Sequence, residues 1–192
     1  MLLANVDVED LIERNALLPR IHFFIETYKI ILDTLRQNSR LIELYNQSAN
    51  RLFMFCYKYK CLKEYRKVSE TLHVHFAYIL KAAKQPDLYQ NSKIPYPVTL
   101  EDEESTTKLL DLRHTQLEYA LKMEEWTDAF RTSESIFMLI NRKKEKDIKI
   151  HLEGFFTHLS SIFWKSGNHL FHTYALQNII KINAKNTNRS QT

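Results

Sequence analysis

Few side chains in this 192-residue chain stand at spacings that could do chemistry. His169 and His172 lie three apart, which would set two imidazoles on one helix face as a metal ion requires. No third ligand stands at a useful spacing and no H-E-x-x-H arrangement occurs, so they read as surface or partly buried histidines. His73 and His75 are two apart and would point to different helix faces, a poorer pair still, and they too read as surface or partly buried. Cys56 and Cys61 have no companions for a zinc knuckle or a disulfide framework. The run Glu101-Asp102-Glu103-Glu104 is more simply a solvated loop than a paired-carboxylate site. Two glycines leave no room for a phosphate-cradling or dinucleotide loop, and no nucleophile motif appears. The expectation is a protein without catalysis, cofactor or metal.

One stretch does suggest a ligand. YKYKCLKEYRK, Tyr57 to Lys67, interleaves tyrosines with cations, and Arg51, Lys58, Lys60, Lys63, Arg66 and Lys67 face only Glu64 there. Cations neutralise phosphates and rings stack on bases, so these six are candidate RNA contacts. The competing reading is a helix with Tyr65 on its buried face and the lysines solvating the other.

A second stretch, WKSGNHLFH from Trp164 to His172, reads as a joint. Gly167 can take the left-handed backbone that ends one helix, and Asn168 can cap the next. Trp164, Phe163 and Phe171 are expected to pack around that corner as core.

The elements that must carry these residues are helices. Few glycines and prolines, with Leu, Ile, Lys, Glu and Ala between them, disfavour a many-stranded sheet. Pro19 suits a helix first turn, and Ile21, Phe24, Ile25, Tyr28, Ile31, Leu32 and Leu35 follow at helical spacing. Asn38-Ser39 offers caps for a second helix whose buried stripe is Leu41, Leu44, Tyr45, Ala49, Leu52, Phe53 and Cys56. A third spans about 62–84. Three prolines and an acidic cluster predict an exposed loop over 85–104, followed by a fourth helix capped by Ser105 or Thr106. A fifth covers 126–141, a sixth about 148–165 and a seventh about 169–183. Residues 1–18 read as a partly ordered leader, 19–183 as the folded arm, and 184–192 as a polar tail.

Segments opening at Lys63, Glu124 and Gly167 echo one another, each starting a second helix after a short turn. The fold class predicted is all-α: antiparallel helix pairs of the tetratricopeptide kind stacked into an α-solenoid. An acidic start unlike a secretory signal and no apolar run of membrane-span length predict a soluble cytoplasmic protein with no membrane association, and a net charge of +4 permits contact with nucleic acid without requiring it.

FWKSGNHLFHTYALQNI, Phe163 to Ile179, is similar to a signature of the largest (a) subunits of eukaryotic translation initiation factor 3. LDTLRQNSRLIELY from Leu32, FMFCYKY from Phe53, EYRKVSETLHVH from Glu64 and LEYALKMEEWTDAFRTSESI from Leu117 resemble the same family in the same order. The blocks run from about Pro19 to Ile182. Thr173 stands where the family often has Ala, which touches fine packing only.

The resemblance implies the helical-repeat arm of a PCI domain, an architecture shared with proteasome-lid and signalosome subunits. It implies a non-catalytic scaffold that pairs with the c subunit of the factor and helps hold it on the small ribosomal subunit, near mRNA or rRNA. In the family the arm leads into a winged helix; these residues end before one, so the likeness is to part of such a protein. A general PCI or tetratricopeptide adaptor of a lid-like complex is the alternative.

Overall fold

The computed structural model describes residues 8–85, 96–142 and 149–187. Among them are seven α-helices: α1 (Val8–Leu35), α2 (Ile42–Lys58), α3 (Leu62–Lys84), α4 (Glu103–Lys122), α5 (Trp126–Ile140), α6 (Lys149–Lys165) and α7 (His169–Thr187). A 3-10 turn, Ser39–Leu41, leads into α2. No strand occurs among the described residues; Asn38 and Pro97 form an isolated bridge.

The helices α2–α3, α4–α5 and α6–α7 are hairpins, each closed by a three-residue turn. All three turns are built alike. The middle residue is left-handed, with φ 52° at Lys60, 58° at Glu124 and 72° at Gly167. The third turn residue donates its N–H back to a carbonyl in the last turn of the first helix: Cys61 to Cys56, Glu125 to Ala120 and Asn168 to Phe163, at 2.8–2.9 Å. These bonds satisfy carbonyls the ending helix leaves open and reverse the chain sharply. First helices stack in order, α2 on α4 and α4 on α6, while α1 packs on α2 and α3. This is an all-α solenoid, as predicted.

The core runs continuously through the stack, from Ile25 and Leu32 on α1 through Leu52 and Phe53, Leu72, Leu110 and Leu117, to Ile136 and Leu139 on α5 and Ile162 on α6. Several expectations shift. Helix α1 begins at Val8 instead of opening at Pro19, which lies inside it. Its neighbours Leu17, Leu18 and Arg20 are exposed, and water can satisfy the carbonyl the proline leaves open. Leu41 and Leu44 are exposed, because α2 buries only its Tyr45–Leu52–Cys56 side against α1, α3 and α4. Asp102, not Ser105 or Thr106, caps α4, accepting from the Ser105 N–H at 3.0 Å.

The expected loop over 85–104 is partly docked. Residues 86–95 lie outside the described residues, but Val98 is buried beside Leu35, Ile42, Ile79 and Leu109. Tyr96 accepts the Ser39 N–H at 2.8 Å through its carbonyl, and Arg40 lies 3.6 Å over its ring. The bridge Asn38–Pro97 thus fastens the returning chain to the start of α2.

Candidate nucleic-acid interface and the polar centre behind it

Behind the hairpin turns lies a buried polar centre around Asp128, in the first turn of α5. Its carboxylate accepts from the Tyr65 hydroxyl at 2.7 Å and from His73 Nε2 at 2.7 Å, and it also accepts from the Ser69 hydroxyl. Tyr65, Ser69 and His73 recur every four residues along one face of α3. Gln116 of α4 donates to the Ser69 oxygen at 2.8 Å and accepts from Arg113 at 2.6 Å. Arg113, 2% exposed, also donates to the Leu72 carbonyl at 2.7 Å and lies 4.6 Å over the Phe76 ring.

Burial alone would raise the Asp128 pKa, but the donors His73, Ser69 and Tyr65 outweigh it and hold the carboxyl below its ordinary range. Burial, then Asp128 itself, pushes the Tyr65 hydroxyl far above its ordinary pKa. A Ser, a His and an Asp meet here, yet serine and histidine both donate to the one carboxylate. No base is poised to take a proton from the serine, so the arrangement is a structural knot and not a nucleophile triad.

His75, on the other side of α3, accepts from or donates to the Tyr45 hydroxyl at 3.0 Å and meets Asp33 at 2.9 Å. Both His73 and His75 are buried, which corrects the surface reading: α3 is enclosed on two sides, by α1–α2 and by α4–α5, so both of its opposed polar positions need partners. Burial pushes the Cys56 thiol up to about 12, and burial raises Cys61 too, so neither is poised as a thiolate.

The basic stretch lies across the first hairpin turn, with Arg51, Lys58, Lys60, Lys63, Arg66 and Lys67 all exposed and Tyr65 fully buried. Two of the six cations are engaged within the protein. Arg66 grips Glu125 with two bonds of 2.7 and 2.9 Å, tying the first turn to the second, and Lys67 meets Glu64 at 3.0 Å. Lys58 lies 5.4 Å from the Tyr59 ring. Arg51, Lys58, Lys60 and Lys63 have no carboxylate partner among the described residues.

The fold adds residues the sequence pattern did not single out. Tyr57 meets Tyr119 of α4 edge-on at 6.0 Å, and Lys122 lies 5.8 and 5.0 Å from their rings while bonding Glu118 at 2.6 Å. Lys165 at the end of α6 lies 5.4 Å from the Trp126 ring, linking the third turn to the second. A second tyrosine–lysine set before the second turn was the available signal, and it became meaningful only once the turns were side by side.

At the third turn an added Cβ on Gly167 would meet no atom within 4 Å, so only backbone strain distinguishes glycine there. Asn168 Oδ1 accepts from the Phe171 N–H at 3.5 Å. Phe163 and Phe171 stack at 5.2 Å. Trp164 is 60% exposed, and Phe171 is half exposed, so these two cover the corner's outer surface and do not fill a core. The cause is that α7 forms the outer layer here. His169 and His172 both pack on the Trp164 ring, at 5.5 and 5.1 Å, and His172 Nδ1 bonds Ser160. Among the described residues no group of three or more His, Cys, Asp or Glu is arranged to hold a metal ion, and no described helix is long and apolar enough to cross a membrane.

Compared with known proteins, residues 2–192 match the family model described as eIF3a, PCI domain, TPR-like region. The chain is 33% identical over 173 residues to the A subunit of eukaryotic translation initiation factor 3 from Homo sapiens, covering 90% of this chain and 12% of that protein. It is 34% identical over 184 residues to the corresponding protein of Nicotiana tabacum, covering 95% of this chain and 18% of the relative. For that of Yarrowia lipolytica the figures are 33% over 179 residues, 91% and 18%. The chain therefore spans less than a fifth of the length of these curated relatives.

Proposed function

Because the chain belongs to the eIF3a PCI, TPR-like family, we propose that it is a non-catalytic scaffold of translation initiation factor 3 in the cytoplasm. It helps the factor assemble, above all with the c subunit, and helps hold it on mRNA and the small ribosomal subunit. The observation that supports the scaffold reading most is the pair of open outer faces. Phe23 and Ile30 stand on the outside of α1, 74% and 67% exposed, and Leu170 is 78% exposed on α7. Stacked helix pairs offer such faces to further helices and partners.

The test is capture from cell extract with the tagged chain. Small ribosomal subunits and the c subunit should come down with it; proteasome-lid or signalosome subunits in their place would turn the reading to the alternative adaptor.

Contact with RNA is assigned to the first turn, through Arg51, Lys58, Lys60 and Lys63, with Arg66 and Lys67 behind them. Such binding weakens steeply with salt and shows little sequence preference. Changing Lys58, Lys60 and Lys63 together to Glu is expected to abolish it while the fold survives. Unchanged affinity in that variant would return the stretch to a solvated helix face.

A further inference from the structure

We infer that the three hairpin turns form one continuous track for single-stranded RNA, which starts at the first-turn lysines and ends on the exposed indole of Trp164. The inference rests on the RNA contact assigned above to the first turn and extends it across the molecule.

The continuity comes from contacts between turns. Arg66 of the first turn grips Glu125 of the second. Tyr57 meets Tyr119, with Lys122 over both rings. Lys165, beside the third turn, lies against Trp126 of the second. The three turns are thus neighbours along one edge, and with helix axes about 8–10 Å apart that edge spans on the order of 20 Å.

Along it, cations and rings alternate. Lys58 and Lys60 stand with Tyr57 and Tyr59 at the first turn, Lys122 with Tyr119 before the second, and Lys165 with Trp126 between the second and the third, next in the chain to the exposed Trp164. Of the carboxylates here, Glu64, Glu118 and Glu125 are each engaged by a cation of the same edge, whereas Glu124, exposed in the middle of the second turn, has no cation partner among the described residues. The exposed Lys58, Lys60 and Lys63 leave the balance positive at the end where a phosphate backbone would enter.

Trp164 supplies what an electrostatic contact alone lacks. Its ring forms one wall of a shallow cleft of ≈ 340 Å³ completed by Ser160, Ser161 and His172. His169, edge-on, and His172, tilted, pack against the indole, leaving 60% of the residue exposed. A wide aromatic face beside a hydroxyl suits an unstacked base: the ring stacks, and the Ser161 oxygen, whose hydrogen goes to the Thr157 carbonyl at 3.2 Å, can accept a bond from the base, while Lys165, next in the chain, supplies a cation for the adjoining phosphate. A base still paired in a duplex could not present its face to this platform, so the track selects single strands.

The chain has two tryptophans, so Trp126→Phe leaves Trp164 as its only indole reporter. We would titrate this variant with an oligoadenylate of about ten nucleotides, then with a blunt RNA duplex of the same length, at low salt. Stacking on the platform predicts quenching of Trp164 by the single strand and little by the duplex. Trp164→Leu should weaken single-strand binding about tenfold, the worth of one base–aromatic stack, with the salt slope unchanged. The Lys58, Lys60, Lys63→Glu variant should lose binding to all RNA.

If the triple variant loses RNA while Trp164 shows no quenching and Trp164→Leu binds normally, the track is overturned and the first-turn contact stands. If the unmutated chain binds no RNA at low salt, both readings fall. If Trp164→Leu keeps full RNA affinity but loses a captured protein partner, the platform docks protein and the track is likewise overturned. The quenching experiment needs no change at Trp164, so a misfolded Trp164→Leu would leave it decisive.

Discussion

Lys60 and Glu124 occupy the same place in successive hairpins: each is the middle residue of its turn, and each holds the left-handed backbone that Gly167 holds in the next. Only glycine does this without crowding its own Cβ. Lys60→Gly and Glu124→Gly should therefore each stabilise the protein, by about 0.5–1 kcal/mol after the added freedom of the unfolded chain is subtracted. Urea midpoints read this directly, and a fall in both would show that the side chains matter more than the backbone.

The reverse change strains the third turn. Gly167→Val should cost about 1 kcal/mol or more, through the backbone alone, because there is room for the side chain. Asn168→Ala should cost less than the typical cap value of about 1 kcal/mol, since the Asn168 bond to Phe171 is long at 3.5 Å. Equal losses for the two variants would mean that the cap contributes more than its geometry suggests.

Asp128→Ala removes the acceptor shared by Tyr65, Ser69 and His73 and leaves three buried donors behind. The expected loss is about 3–5 kcal/mol, as for breaking a buried charged contact. Tyr65→Phe removes one bond to that carboxylate and should cost about 1.5–3 kcal/mol. Denaturation midpoints of both variants, measured together, check the order.

The histidines between α4 and α6 make stability depend on pH. His114 lies 5.7 Å from His151 and 6.0 Å from His158, ring centre to ring centre. Burial, then the neighbouring histidines, push His114 down to about 4 from an ordinary 6.5, and burial lowers His158 as well. The acids at hand are Asp111, 3.9 Å from His151, and Glu118, which favours the charged form of His158. Between these values the unfolded chain binds the extra proton, so stability is full above about pH 6.5 and declines as pH falls toward about 4, by up to about 3 kcal/mol for His114. His114→Phe should flatten that slope in urea titrations between about pH 7 and pH 5; an unaltered slope would assign it elsewhere.

Within the basic stretch the cations are not equivalent. Lys63 has no carboxylate partner among the described residues, whereas Arg66 is held by Glu125. Lys63→Ala should lower the salt slope of RNA binding by about 0.7, one phosphate on a single strand. Arg66→Ala should lower it less and loosen the link between the first two turns. Filter-binding isotherms at several salt concentrations separate them.

Much of the fold was legible. Apolar spacing located the helices, though not the start of α1, because most bury a stripe at the helical period, as Tyr65, Val68, Leu72, Phe76 and Ile79 do on α3, whereas α7 buries only Ala175 among its described side chains. Gly167 announced its turn because glycine is the usual residue for left-handed backbone. Lys60 and Glu124 take the same conformation and announced nothing, since tertiary packing overrides their preference.

The polar centre was illegible for a related reason. Asp128, in the first turn of α5, reads as a surface acid complementing the helix dipole. Only the stacking of α3, α4 and α5 closes solvent off around it. Trp164 misled in the opposite sense: a tryptophan among phenylalanines reads as core, and its exposure depends on what lies over the third hairpin.

Solenoids usually unzip one repeat at a time, because each repeat touches only its neighbours through interchangeable apolar contacts. The knot at Asp128 joins α3, α4 and α5 through bonds that survive together or fail together. Heat should therefore release α6–α7 first as one cooperative unit and dissolve the first two hairpins in a single later step. Amide exchange would show two protection plateaus with their boundary between α5 and α6. A force applied to the two ends would meet its main resistance at the Asp128 knot.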